Sequence, residues 1–148
     1  MKLRTKLGLT ILAAIGYFAV TNYSGCNAAY EQKDSKITEI TVSQLSDAYR
    51  RFNEDLFYGG LPTKNIKIVP TYLPTAMGEL SGEDGQWVIR IDKESNPIQR
   101  QAEMTLIHEM CHLSDKINGE NEGFDGHSYA WETCMENIAA RGQFKDIW

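Results

Sequence analysis

Apolar residues recur at helical spacing between Val42 and Leu56: Val42, Leu45, Ala48, Tyr49, Phe52 and Leu56 share one face of a 3.6-residue period. Thr41 and Gln44 are spaced as a capping box ahead of this run, and Gly59-Gly60 stands behind it. The pattern predicts an amphipathic first helix. After the Leu61-Pro62 turn the period changes. Ile66 and Ile68 alternate with Lys67 as a strand would, stopping at Pro70. A second strand is predicted around Ala76 to Leu80 and a third at Trp87 to Ile91, separated by the turn cluster Ser81-Gly82-Glu83-Asp84-Gly85.

Behind Asn96-Pro97 comes the longest helical pattern, in which Ile98, Ala102, Thr105, Leu106, Cys111 and Leu113 alternate with polar positions to about Lys116. Asn118 to Gly126 is Gly-rich and acidic and reads as a loop. From Ser128 to Ala140, Tyr129, Trp131, Cys134, Met135 and Ile138 return to helical spacing, with Gly142 as a stop. The expected fold class is therefore α+β: one domain over residues 41–148, with a small, mostly antiparallel sheet packed against an N-terminal, a central and a C-terminal helix.

The first 40 residues follow a different rule. Lys2, Arg4 and Lys6 precede an apolar stretch from Leu7 to Val20, and small and polar residues run from Thr21 to Ala29. That stretch is longer than a core strand and shorter than a comfortable membrane span, which is the layout of an export leader. Residues 1–29 are expected to be a signal peptide, a lipoprotein signal or a membrane anchor, and 30–40 a polar linker. Ser24-Gly25-Cys26 is similar to the end of a lipobox, with Tyr23 where Leu is usual, while Asn27-Ala28-Ala29 suits ordinary signal cleavage. An exported location follows, periplasmic or otherwise outside the cytoplasm, with membrane contact through the N-terminal segment as one form of it.

Charge narrows the partners. Formal charge is −5 over 148 residues, and without the three leader cations the rest carries 12 Lys and Arg against 20 Asp and Glu, or −8. An acidic body repels phosphate backbones, and beyond Arg50-Arg51 there is no dense basic run, so nucleic acid is not expected as a partner. Of three cysteines, Cys26 belongs to the leader; Cys111 and Cys134 read first as small buried apolar residues on helices and second as a disulfide pair in an oxidising compartment.

The chemistry is concentrated in His108-Glu109-Met110-Cys111-His112, a His-Glu-x-x-His sequence inside the predicted central helix. Residues four apart on a helix stand one turn above each other, so both imidazoles project from one face and can occupy adjacent corners of a zinc tetrahedron. Glu109 is rotated by about 100° from His108. Its carboxylate then lies beside the metal, placed to take a proton as general base without being a ligand. Hydrolytic zinc needs a third protein ligand and an open position. His127, opening the next helix, ranks first; Glu132 and Glu136 are the alternatives. A metal-free hydrogen-bonded helical pair is the competing account of His108 and His112. Tyr129 reads first as a core aromatic and second as an oxyanion donor, and Asp115 and Asp125 are candidates to orient the ligand rings as well as for plain helix-end or turn roles.

These residues carry a resemblance to a known family. Phe52-Asn53-Glu54-Asp55-Leu56-Phe57-Tyr58-Gly59-Gly60-Leu61-Pro62, then Met104 to Leu113, then Asp125-Gly126-His127-Ser128, are similar in order and separation to the SprT-like zinc metallopeptidases, across about Leu45 to Ile138. The resemblance implies a small zincin-like domain with zinc on His108, His112 and His127, Glu109 as the catalytic residue, and a protein or peptide as substrate. The chain departs from many members in carrying no cysteine-rich zinc ribbon after the helices. Its leader and acidic body also argue against the DNA-linked roles of well-known relatives. A second function stands beside hydrolysis: an exported, non-catalytic zinc-binding scaffold for a protein partner. Neither substrate preference nor oligomeric state is readable from the chain.

Overall fold

The computed structural model describes residues 40–119 and 126–145. The leader, most of the linker, and the acidic loop with Asp125 lie outside the described residues. In chain order the elements are α1 (Val42–Phe57), β1 (Ile66–Thr71), β2 (Gly78–Glu83), β3 (Gln86–Asp92), α2 (Gln99–Asn118) and α3 (Tyr129–Ala140). Among the described residues this is an α+β arrangement of three helices and one three-stranded sheet. None of the described helices is long and apolar enough to cross a membrane.

α1 starts where the capping box places it: the Thr41 hydroxyl accepts from the Gln44 N–H, and the Gln44 side chain reaches back to the Thr41 backbone. Its exit is pinned by Asn53, which is buried and exchanges two hydrogen bonds with the backbone of Leu61 (Nδ2 to the carbonyl, N–H to Oδ1, both 3.0 Å). Leu45, Ala48, Tyr49 and Phe52 form the buried face. Val42, counted in the same stripe by spacing, is 54% exposed, because it lies in the first turn, beyond the edge of the core.

The sheet differs from the expectation in its pairing. Strand order is β1-β3-β2, with β3 central, parallel to β1 and antiparallel to β2. It is thus a mixed sheet, not a mostly antiparallel one. The cause is local: β2 and β3 close as a tight hairpin through Asp84-Gly85, both at positive φ (50° and 76°), and the chain leaving β1 passes to the far edge before that hairpin forms. Because two residues suffice for the turn, Ser81 to Glu83 belong to β2 and not to a broad loop. Gly82 is required there, since a Cβ would lie 2.0 Å from the Gln86 carbonyl oxygen. β1 also runs through Pro70 to Thr71 where the sequence suggested a stop. Proline is admitted because β1 is an edge strand.

Trp87, Ile89 and Ile91 alternate into the core, the last two with no exposed surface. α2 lies over this face and is buried around most of its circumference, through Ala102, Leu106, Ile107, Met110, Cys111 and Leu113. Gly119, at φ 71°, ends it. α3 packs chiefly on α2, contributing Trp131 and Ile138 to the core, and the two helices are joined covalently by a Cys111–Cys134 disulfide. The reading of these cysteines as separate apolar residues is thereby corrected. Helix packing brings their Cα atoms to 6.0 Å, within bonding range, a distance that their 23-residue separation could not reveal.

Candidate metal centre

The central helix sets two of the three imidazoles. His108 and His112, one turn apart on α2, present their Nε2 atoms 3.2 Å from each other. The third comes from two residues before α3: His127 sits with its ring 5.3 Å from that of His108 and 5.1 Å from that of His112, centroid to centroid. One ligand atom from each ring lies within 4.8 Å of the others. Two imidazole nitrogens sharing one tetrahedral cation at bonds of ~2.0–2.1 Å stand about 3.3 Å apart. The His108–His112 pair already meets that spacing, and the cluster as a whole can hold a metal ion. Among the described residues no carboxylate joins the group, so Glu132 and Glu136 are not part of it.

The rings are held from behind by Trp131, which stands one turn after His127 on the same face of the chain. Its ring lies 3.9 Å from that of His127, 4.8 Å from His108 and 5.4 Å from His112. Its indole N–H donates to the His108 carbonyl (3.3 Å). By spacing alone Trp131 is one more helix-spaced apolar position; its i+4 relation to His127 is the signal in the chain for this contact. Ser128 caps α3 by accepting from the Trp131 N–H (2.9 Å) and donates its hydroxyl to the buried Asp115 carboxylate. Asp115 therefore ties the end of α2 to the junction carrying His127. Tyr129 is 84% exposed and is no core aromatic. Helix α3 turns this position away from α2.

Charge in the site follows from burial. His108 is held neutral, its pKa lowered to about 3 by desolvation and then by the neighbouring His112 and His127. A neutral imidazole keeps the lone pair that coordination needs. Glu109 is 5% exposed, and its pKa is raised to about 7 by burial, with Glu79 adding to the rise and the Leu80 N–H, which donates to the carboxyl, opposing it. Glu109 thus faces the free edge of β2. The approach is close: a Cβ built on Gly78 would lie 2.7 Å from Glu109 Oε1 and 2.6 Å from the Thr105 methyl. A side chain at 78 would force the Thr105 and Glu109 side chains, or the strand itself, to shift.

What the arrangement offers chemically is a cation site made of three imidazoles, that of His108 held neutral, beside a carboxyl poised to exchange a proton near pH 7. Compared with known proteins, the chain matches no family model and no curated sequence.

Proposed function

We propose that the chain is a zinc-dependent peptide hydrolase of the SprT-like, zincin-type kind, with His108, His112 and His127 as the zinc ligands and Glu109 as the general base. The observation that carries this reading is the convergence of three imidazoles within 4.8 Å, with the buried Glu109 carboxyl on the same helix turn. The donor set fits zinc: three nitrogens of borderline softness, with no fourth protein ligand among the described residues, leave a corner for water.

Zinc, when bound, supplies a Lewis acid that lowers the pKa of a water toward ~7 and polarises a peptide carbonyl. The chain's own residues do the rest. Glu109 takes a proton during attack and returns it to the departing amine. Its raised pKa suits both halves of that exchange, and a nearby cation favours the ionised form that must begin it. Trp131 walls off one side of the ligand rings and, through its bond to the His108 carbonyl, fixes α3 against α2. The substrate is a protein or peptide. The Cys111–Cys134 disulfide supports an exported location, since such bonds persist in oxidising compartments.

The test is Glu109→Gln in the zinc-loaded full chain. The variant keeps its zinc but loses cleavage of an unfolded casein by about 10²-fold or more. Equal cleavage by both proteins removes the catalytic assignment. Absence of cleavage in the wild type, with stoichiometric zinc, points to the scaffold reading instead.

A further inference from the structure

A second buried polar cluster lies one helical turn from the site, and the metal chemistry does not use it. Asn96 has no exposed surface, Asp92 is 1% exposed and Thr105 is 8% exposed. The Asn96 carboxamide spends both of its N–H groups on backbone carbonyls, those of Met77 (3.0 Å) and Asp92 (2.8 Å), and its oxygen accepts from the Thr105 hydroxyl (2.7 Å). Only one orientation of the amide satisfies two acceptors and a donor at once. Asp92 completes the frame. Its carboxylate accepts from the N–H groups of Leu73 (2.7 Å) and Ser95 (2.6 Å), and its own N–H pairs with Met77 O (2.8 Å).

These bonds join two pieces of backbone that meet at Glu109. Met77 is the residue immediately before β2, and Thr105 lies four positions before Glu109, on the same face of α2. Gly78 follows Met77 and approaches both Thr105 and Glu109 so closely that a Cβ would overlap each. Two residues further on, the Leu80 N–H donates to the Glu109 carboxyl. A shift of the head of β2 is therefore a shift of the surface that Glu109 rests on.

We propose that Asn96 is a positioning residue for the general base: its buried carboxamide ties the head of β2 to Thr105 of α2 and so fixes the strand edge against which the Glu109 carboxyl is held. Its kinetic consequence rests on the hydrolase reading given above. The placement itself rests on the hydrogen bonds alone. Nothing in this cluster touches an imidazole of the metal group in the bonds described, so loss of the tie leaves metal binding intact and acts on the base.

The experiment compares Asn96→Ala, Thr105→Val and Thr105→Ser with wild type as full-length, zinc-loaded protein, with casein cleavage, zinc stoichiometry and the amide exchange rate of Leu80 as readouts. Thr105→Val preserves volume and the methyl contact while removing the hydroxyl, so it remains informative if Asn96→Ala does not fold. Asn96→Ala and Thr105→Val lower kcat about tenfold or more, with KM and zinc content unchanged, as expected for a misplaced catalytic group. The Leu80 amide exchanges faster in both, while amides within β3 keep their protection. Thr105→Ser, which keeps the hydroxyl, restores kcat to within about threefold of wild type. Wild-type kcat and Leu80 exchange in Thr105→Val overturn the proposal, as does zinc loss in parallel with activity, which would make the cluster a support of the metal group. If the wild type cleaves nothing, the hydrolase reading fails on its own, and Leu80 exchange still decides the positioning claim.

Discussion

The two sides of the metal group are built on different principles. On the α2 side, His108 and His112 owe their convergence to helix periodicity, and Glu109 is added by the same regularity, one residue on. On the α3 side, His127 comes from a residue that precedes its helix. It is brought in by a disulfide, by the Ser128–Asp115 hydrogen bond and by the packing of Trp131 on all three rings. One side is local and repeats wherever that helix forms; the other is assembled by contacts across about twenty residues of chain. Regular backbone can supply a pair of imidazoles with a carboxyl beside them, but the third imidazole has to be delivered by tertiary structure, and the devices that deliver it are where the site is vulnerable.

The sharpest way to disturb the α2 side without touching an imidazole is Gly78→Ala, at the tertiary contact that β2 makes with Glu109. The added methyl meets the Glu109 carboxyl and the Thr105 methyl, so the carboxyl or the strand must move, and on the proposed hydrolase reading kcat falls roughly a hundredfold. Zinc content stays at one per chain, measured on the same preparation. A variant with wild-type turnover would show that the strand yields at no cost to the base.

Opening the Cys111–Cys134 bond tests the assembled side. Replacing both cysteines with serine lowers stability by about 3 kcal/mol, from the loop the bond closes, as read from chemical denaturation. Zinc affinity falls as well, because α3 has α2 as its main packing partner and its junction carries His127. Unchanged zinc affinity in the stable fraction would assign the holding of His127 to Trp131 and Ser128 alone.

A pH dependence in the metal-free protein sharpens the α2 side further. Folding raises the Glu109 pKa from 4.5 to about 7, so the folded chain binds the extra proton in that window and this group's contribution to stability is lost as pH rises through it. His108 acts in the opposite sense: lowered from 6.5 to about 3, it costs stability as pH falls through that range. Glu109→Gln removes only the first contribution. Variant and wild type should be equally stable below pH 4.5, and the variant more stable above pH 7, in thermal denaturation of the metal-free proteins. A difference that grows toward acid pH would reverse the assignment of burial as the cause.

Several features were legible in the chain. The capping box at Thr41 and Gln44, the order of helices and strands, the serine start and glycine stop around α3, and the spacing of His108 and His112 all rest on interactions within a few residues. Strand direction was not among them. Asp84-Gly85 marks a hairpin, but nothing near β1 announces that β3 will pair with it in parallel. Tyr129 and Trp131 show the same limit, because two aromatic residues two positions apart receive opposite environments from the way α3 lies on α2.

By itself the sequence determined the helices, their caps, and the pair of imidazoles with a carboxyl beside them, because backbone hydrogen bonding and side-chain periodicity act over one or two turns. The tertiary structure decided the meeting of His127 with that pair, the bond between Cys111 and Cys134, and the contact of β2 with Glu109. Those depend on how helices and sheet pack, a balance summed over the whole core, and no short stretch of chain encodes it.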